Sequence, residues 1–467
     1  MWLWRSKKGY ALAPSAQTAS PSIGHAWYVV ALLVLLYAIS FIDRYALSLL
    51  TAPITRELAI SDVQMGALFG LGFGVVYAVT GLPLAHLIDR KKRVPLLAAG
   101  VVIWGICTVL SAFASGFYSL LACRSGVAVG EAVLSPAAIS MIGDMFTRDR
   151  RNLPTTVYTT TSVFMQSGAF IVGGMAIQIA TVYSAALNLA PWRLTLIFLG
   201  APAIIAGVVF YLTVREPART QEPTQTADFG TMAQAVAYIW RERSLFGWTF
   251  VALAMMGICG GGVVAWTPTL LERNFAASTA DAGYLYGVVG TVAAIMGALA
   301  FPVANKLWSK RRKDALILLL AFGLALPPLG AAMIGLASSV FWVLAGVAIV
   351  MIGYGAAGQL PPLLVQSVAP SRMRARLSAL NLMAMSLVGL AFGPPLSAAL
   401  GGWFFTGASA LGYGMAAVSV VGLPATFIGM LLARKRYVAA LAEAESREGS
   451  AQQLPQAAAE SSVPASP

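Results

Sequence analysis

Charged side chains are scarce in this sequence, and their scarcity excludes most classes of soluble protein. Only 10% of the 467 residues are charged, while 58% are hydrophobic; an average soluble protein has roughly 25% charged residues. A water-exposed surface cannot be built from so few charges, which nearly excludes a soluble enzyme. Disorder and a collagen-like structure are also excluded. The apolar residues would instead fill at most about thirteen membrane spans of about 20 residues each.

Cysteine and histidine are equally rare. Cys107, Cys123 and Cys259 all lie in apolar stretches, so no disulfide framework is expected. Two histidines offer too few ligands for a transition-metal site, and we expect neither a metal nor a cofactor. The basic N-terminus is followed by Ser, Pro and Ala. No cleavable signal peptide is therefore predicted, and the first span is expected to direct insertion.

Long apolar runs, separated by turn residues and charges, predict an all-α integral membrane protein with twelve spans. The predicted limits are 26–51, 62–88, 94–114, 117–145, 153–183, 192–214, 245–271, 280–305, 315–336, 340–368, 377–401 and 410–433. Very short apolar links join the third span to the fourth and the ninth to the tenth. Counts of eleven or thirteen spans therefore stay open.

The basic residues predict how the spans are oriented. Of the 31 Lys and Arg residues, 26 lie in the two tails and the loops on their side. Only Arg56, Arg193 and Arg273 lie on the opposite side. The positive-inside rule then places both termini in the cytoplasm of a multi-pass protein, and we expect a bacterial inner membrane. Because the charge is dispersed over short segments, the partner it implies is the lipid bilayer and not nucleic acid.

The chain divides near its middle. The expected organisation is a cytoplasmic N-tail (1–25), a six-helix bundle (26–214), a cytoplasmic linker (215–244), a second six-helix bundle (245–433) and a disordered C-tail (434–467). Within the linker, apolar residues at helical spacing predict a helix on the membrane surface, or else an extension of the seventh span. Basic loops recur with offsets of about 216 to 224 residues, which indicates a 6+6 duplication with a substrate site between the halves.

Four motifs resemble a known family. Asp89-Arg90-x-x-Arg93 follows span 2 and resembles the loop signature of the major facilitator superfamily of secondary transporters. More narrowly, the chain resembles the spinster-like lipid transporters and their bacterial relatives through three further segments. These are Asp43-Arg44-Tyr45 in span 1, the stretch from Arg124 to Gly130-Glu131-Ala132 in span 4, and Trp266-Thr267-Pro268 in span 7. The resemblance implies a twelve-helix, 6+6 fold that works by alternating access.

Carboxylates at membrane depth are the main functional signal, because an ionisable group there is costly and usually functional. Asp43 and Glu131 are the only acids well inside spans. Asp43 and Arg124 lie at similar depth and are predicted to pair. Glu131 lies two turns further along the face of Arg124 and has no partner evident in the sequence. We therefore expect Glu131 to take up a proton more easily, and assign proton coupling to these three residues. The alternative is a purely structural ion pair.

Other polar residues at depth are candidates for the substrate cavity. Arg44 points about 100° away from Asp43 on a helix, so it either binds an anionic headgroup or extends to the outer interface. Six further residues either line the cavity or pack against neighbours: Tyr37, Tyr158, Gln166, Trp266, Tyr354 and Gln359. The glycine ladder of Gly66, Gly70 and Gly74 predicts close helix packing.

The resemblance also implies a gate on the cytoplasmic side. In the superfamily the loop arginine typically meets an acid at the end of span 4, which here implies an Arg93–Asp144 pair. Asp89, followed by Arg90, would face the end of span 11. The alternative is that these loop charges only fix the topology.

The leading functional hypothesis is a proton-coupled secondary transporter for an amphiphilic, lysolipid-like organic substrate, acting as a monomer. The alternatives are a proton symporter of small organic acids, a multidrug-type efflux carrier and, more distantly, a sensor without transport. No catalytic nucleophile with its base, nucleotide motif or ATP-binding segment is evident in the sequence. We therefore expect neither an enzyme nor a primary pump.

Overall fold

The computed structural model describes residues 22–147, 149–219, 229–370 and 373–460, and their regular secondary structure is helical. Eleven helical segments of these ranges are long and apolar enough to cross a membrane. A twelfth segment, at predicted span 11, is divided into shorter helices by a π-helical turn. The all-α class and the positions of the predicted spans are thus confirmed.

The first half begins at Ile23, one residue after the Ser22 cap. Its elements are Ile23–Leu49 (α1), Thr51–Leu58 (α2), Asp62–Phe69 (α3), a π-helical turn at Gly70–Val75, Val76–Arg90 (α4), Arg93–Ser111 (α5), Phe117–Glu131 (α6), Leu134–Met145 (α7), Asn152–Leu187 (α8) and Pro191–Thr213 (α9). Predicted span 2 is therefore α3, the π-helical turn and α4. Span 4 is α6 and α7, interrupted directly after Glu131. Pro136 favours that break, because it lacks the amide hydrogen that would bond the carbonyl group of Ala132.

The second half follows a separate linker helix. Its elements are Phe229–Arg241 (α10), Phe246–Phe275 (α11), Thr279–Trp308 (α12), Ala315–Gly335 (α13), Val340–Val368 (α14), Arg374–Met383 (α15), a π-helical turn at Ala384–Val388, Gly389–Phe404 (α16) and Ala410–Glu460 (α17). A turn at residues 242–245 separates α10 from α11. The linker helix is thus not a straight extension of the seventh span. Residues 220–228 of the linker and 1–21 of the N-tail lie outside the described residues.

The C-terminal segment differs from the expected disordered tail. Helix α17 continues through residues 434–460, while residues 461–467 lie outside the described chain. The extension is anchored by ion pairs: Arg434 lies 2.6 Å from Asp314, Arg436 lies 2.7 Å from Glu242, and Glu445 lies 3.1 Å from Lys313. Many of its residues are Ala and Glu, which favour a helix. Helix propensity and these pairs together explain the difference.

The two halves contact each other mainly on one side of the molecule. We call the side of the α2–α3 turn and the α11–α12 turn the outer side, and the side of the linker helix the inner side. The small residues of α3 allow close contact with α16: a Cβ atom on Gly66 would lie 2.7 Å from the Cα atom of Pro395. Farther out, Gln178 accepts a hydrogen bond from Tyr284 at 3.1 Å. The packing prediction for the glycine ladder is therefore confirmed.

On the inner side the halves are separated. Among the described residues, α4 of the first half and α15 of the second half make no substantial packing contact. Contacts between α8 and α12 run from Gly168 against Thr291 outward to Gln178 against Tyr284. The space between the halves therefore closes at the outer side and opens toward the inner side.

Candidate functional site

Four charged side chains from α1 and α6 form a cluster in the first half. Asp43, Arg124 and Glu131 are 1%, 3% and 1% exposed. Arg124 Nη1 lies 3.6 Å from Asp43 Oδ2, which confirms the predicted pair. Arg44 Nη2 lies 2.7 Å from Glu131 Oε2. The cluster therefore consists of two neighbouring ion pairs and carries no net formal charge.

The partner of Glu131 corrects two expectations from the sequence. Arg44 binds it, so Glu131 is not the isolated carboxylate that we expected, and extension of Arg44 to the outer interface is wrong. Ser40 Oγ donates a second hydrogen bond to the same Glu131 oxygen at 2.8 Å. Ser40 and Arg44 are four residues apart and therefore share a face of α1. The spacing places both residues on one face of α1, but nothing in it identifies Glu131 of α6 as their shared partner.

Asp43 is held differently from Glu131. Among the described residues, neither oxygen of the Asp43 carboxylate has a hydrogen-bond partner, and the Nε atom of Arg124 also lacks one. The 3.6 Å separation of this pair exceeds a normal hydrogen-bond length. Buried polar atoms without partners are costly. The Asp43–Arg124 pair is therefore the less satisfied half of the cluster.

Aromatic rings surround the two arginines. The guanidinium carbon of Arg44 lies 4.7 Å from the centre of the Phe73 ring and 5.3 Å from that of Phe41. Arg124 lies 5.3 Å from the same Phe73 ring. Phe73 belongs to the π-helical turn of span 2, a type of distortion that is frequent at functional sites. Cation–π contacts of this length help to hold both arginine side chains in place.

The exposed fraction of Arg44 distinguishes it from the other three charges. Its side chain is 20% exposed, whereas that of Glu131 is fully buried. Tyr37 and Tyr77 of the same half are also partly exposed. Arg44 is thus the cation of the cluster that a ligand between the halves can reach.

The other predicted cavity residues occupy two kinds of environment. Gln166 and Tyr354 are half-buried and Gln359 is exposed. Tyr158 is 1% exposed and stacks on Tyr37 with ring centres 4.7 Å apart. Trp266 is fully buried.

Trp266 does not line a cavity in this structure. It packs against Phe69 and donates a hydrogen bond from Nε1 to the carbonyl oxygen of Pro394 at 2.8 Å. Its position beside the contact between α3 and α16 explains its burial. The cavity assignment of Tyr158 and Trp266 is therefore corrected to one of packing next to the cavity.

On the inner side, Arg93 joins three segments of the first half. It forms the predicted ion pair with Asp144 and donates to Ser140 Oγ at 3.0 Å. Its Nε atom also lies 3.0 Å from Oε1 of Glu216 in the linker. Glu216 caps α5 as well, because its carboxylate accepts the backbone amides of Arg93 and Val94 at 3.1 and 2.8 Å. Sequence reasoning missed Glu216.

Asp89 and Arg90 are exposed and lie at the separated inner ends of the halves. No ion pair between Asp89 and the second half is present in the described part of the chain. Its backbone carbonyl accepts a hydrogen bond from Arg219 of the linker, a second linker residue that the sequence did not identify. The expected contact of Asp89 with span 11 is therefore not made in this arrangement.

Comparison with known proteins identifies the fold and the family. Residues 33–394 match the sequence family described as the Major Facilitator Superfamily. The chain belongs to this superfamily. A solved bacterial homolog of the human lysosomal transporter Spinster, in an inward-facing and unoccupied conformation, has a TM-score of 0.73. The likeness covers 90% of this chain and 98% of that chain at 24% identity. It shows the superfamily's fold, and the predicted 6+6 arrangement of twelve helices is confirmed.

Two sequence relatives are an efflux pump and a spinster protein. An MFS-type efflux pump of Mycolicibacterium smegmatis is 28% identical over 274 residues, which are 59% of this chain and 61% of the relative. Protein spinster of Drosophila melanogaster is 25% identical over 328 residues, which are 67% of this chain and 52% of the relative. The chain thus spans less than two thirds of either relative's length. The chain is a multi-pass membrane protein of the Major Facilitator Superfamily.

Proposed function

We propose that the protein is a proton-coupled secondary transporter that moves an amphiphilic, lysolipid-like organic anion by alternating access. The observation that carries this proposal is the pair between Glu131, which is buried, and Arg44, which remains 20% exposed. A carboxylate at membrane depth is the usual carrier of a coupling proton. Here it is bound to the one cation of the cluster that a substrate can contact.

The shared arginine provides the coupling. An anionic substrate group that binds Arg44 competes with the Glu131 carboxylate, whose negative charge is then left without its cation. Protonation of Glu131 removes that buried charge. Proton uptake and anion binding therefore favour each other. Asp43 and Arg124, the looser neighbouring pair, complete the proposed proton pathway.

The substrate class follows from the surroundings of Arg44. One accessible guanidinium suits a single anionic group, while the partly exposed rings of Tyr37 and Tyr77 in the same half suit an apolar or aromatic portion. The resemblance of the sequence to the spinster-like lipid transporters supports this choice. A small hydrophilic acid has no apolar portion that could pack against these rings.

The similarity to an efflux pump supports a second candidate, multidrug-type efflux. An efflux carrier would use the same aromatic surroundings but would not require an anionic group at Arg44. Competition assays with anionic and cationic amphiphiles of equal chain length separate the two functions, since only the first predicts a strong preference for the anion.

The organisation and placement are part of the proposal. We infer two six-helix bundles (26–214 and 245–433) joined by the linker 215–244, which act as one monomer with both termini in the cytoplasm of a bacterial inner membrane. The inner side defined above is then cytoplasmic. The excess of basic residues on that side supports this orientation.

The direct test of function is transport by the Glu131→Gln variant in proteoliposomes. With a fluorescent lysophosphatidylglycerol as probe, a proton gradient should drive accumulation in the wild type and not in the variant. Exchange of the probe without a gradient should persist in both. Glu57→Gln, which removes a carboxylate at the outer end of the first half, is the matched control and should accumulate normally. Proton-driven accumulation by Glu131→Gln at the wild-type rate would contradict the proposal.

A further inference from the structure

A second polar cavity lies on the inner side of the second half, away from the charged cluster. Its volume is about 550 Å³, and it is enclosed by the turn after α12, the inner end of α14 and the extension of α17. Its lining includes basic, hydroxyl and amide side chains, among them Arg312, Lys313, Ser309 and Gln366. It also includes leucines from three helices: Leu316, Leu363 and Leu441.

The charge of this region is strongly positive. Residues 306–314 contain five Lys or Arg side chains and one acid. The acid is Asp314, whose pKa is held below its ordinary value chiefly by hydrogen bonds from Arg312. Asp314 therefore offsets part of the charge of Arg312 and of Arg434, which also binds it. For the other Lys and Arg side chains of residues 306–314, no further acid in that segment offsets the positive charge.

Among the described residues that line the cavity, the only acid is Glu445 of the tail helix, and it faces Lys313. Glu445 Oε2 lies 3.1 Å from Lys313 Nζ, and both side chains are more than half exposed, at 54% and 69%. Exposed pairs of this kind contribute little stability, about 0–1 kcal/mol. A ligand with a stronger negative charge can therefore replace Glu445 at small cost. The Oδ1 atom of Asn305, also in the lining, is buried and has no partner in the described residues.

We propose that this cavity, lined by Arg312 and Lys313 together with the leucines and the tail helix, binds a phosphate group carried by an amphiphile. Lys and Arg bind phosphate oxygens through charge-assisted hydrogen bonds. Basic pockets between helices on the inner face of a membrane suit anionic lipid headgroups. The leucines of the lining would accommodate the start of an acyl chain. A soluble phosphate ester shares the headgroup chemistry but has no acyl chain to pack against these leucines.

Binding would also act on the tail helix. The phosphate group takes the place of Glu445 at Lys313, which releases one of the contacts that hold the extension of α17 to the second half. The composition of the surrounding membrane would thus bear on the position of the tail. Neither effect requires the transport cluster around Glu131.

The test measures lipid binding to the full-length protein in detergent by native mass spectrometry. Phosphatidylglycerol should bind, and Arg312→Gln with Lys313→Gln should weaken it by about tenfold or more, since each basic side chain near a lipid surface contributes a several-fold effect. The matched control is Lys310→Gln with Arg311→Gln. It removes the same charge from neighbouring residues that do not line the cavity, and it should weaken binding less than about threefold. Lys313→Gln alone leaves the Asp314 pairs intact and keeps the test valid if the double variant does not fold.

A variant that should strengthen lipid binding provides a second test. Glu445→Gln removes the competing carboxylate and should strengthen phosphatidylglycerol binding, whereas Glu443→Gln, which removes the same charge from a residue that pairs with Arg436, should not. Phosphatidylcholine and glycerol 3-phosphate distinguish the ligand: equally tight binding of glycerol 3-phosphate would assign the site to soluble phosphates. Equal losses in both double variants, or no gain in Glu445→Gln, would overturn the proposal.

Discussion

Arg273 and Asp62 form a two-hydrogen-bond ion pair across the outer side, with Nη–Oδ distances of 2.7 and 2.8 Å. Asp62 begins α3 in the first half, and Arg273 lies in the last turn of α11 in the second half. The pair therefore joins the two halves where they are closed. It lies beside a polar cavity of about 640 Å³ that also contains Arg56 and Glu272.

The first prediction concerns this outer pair. Its side chains are 29% and 31% exposed, so it should contribute at most about 1 kcal/mol, which shifts a near-balanced population by about fivefold. Asp62→Asn should increase the fraction of molecules that are open on the outer side, measured by spin-label distances across that side. The charge-reversed double variant, Asp62→Arg with Arg273→Asp, should restore the wild-type distances.

The control for this prediction is another outer pair that does not join the halves. Arg193 and Glu57 lie 2.9 Å apart within the first half. Glu57→Gln should leave the distances between the halves unchanged. If Asp62→Asn and Glu57→Gln had the same effect, the outer pair would not hold the halves together.

The second prediction concerns Asp43 and Arg124. Removal of one partner of a buried ion pair leaves an uncompensated charge and typically costs about 3–5 kcal/mol. Asp43→Asn should therefore lower the thermal stability more than the double variant with Arg124→Gln does. A double-mutant cycle measures the coupling between them. Additive effects of the two changes would mean that they do not interact, in spite of the 3.6 Å separation.

The third prediction concerns the inner gate, which we propose closes when Asp89 meets the end of span 11. Asp89→Ala should increase the labelling of cavity cysteines from the inner side, because the closed state loses this contact. Asp144→Ala should increase it as well, because Asp144 positions Arg93 within the first half and the inner surface that meets span 11 depends on that position. The probes are placed in a background without Cys107, Cys123 and Cys259.

Asp149→Ala is the control for the inner gate, since Asp149 is an exposed turn residue near Asp144. It should leave labelling unchanged. Unchanged labelling in Asp89→Ala and Asp144→Ala as well, with correct insertion verified, would favour a role of these charges in topology alone.

Much of the fold follows from the sequence, because each span depends on a local apolar run. The Asp43–Arg124 pair was also predictable, since both residues lie at similar depth on helices of known direction. The Arg44–Glu131 pair was not predicted. A guanidinium at the end of a long side chain reaches farther than its Cα position suggests, so the direction of its helix face was a poor guide.

The contacts of the linker and the tail were not predicted from the sequence either, because they depend on tertiary structure. Glu216 and Arg219 lie in a polar segment whose composition predicts exposure to solvent. In the structure, Glu216 binds Arg93 and Arg219 donates to the carbonyl group of Ile88 in the last turn of α4. Similarly, the tail was expected to be disordered because of its polar composition, while its ion pairs with Asp314 and Lys313 can form only once α12 and α13 are in place.

The most direct measurement of the central claim is the pH dependence of substrate affinity. If Arg44 alternates between Glu131 and an anionic group, lysophosphatidylglycerol should bind the wild type more tightly as the pH falls, because protonation of Glu131 frees Arg44. In Glu131→Gln, where Arg44 is already free, binding should be tight and independent of pH over the same range. Calorimetry on both proteins at a series of pH values would show the difference. A Glu131→Gln variant that keeps the wild-type pH dependence would contradict the account.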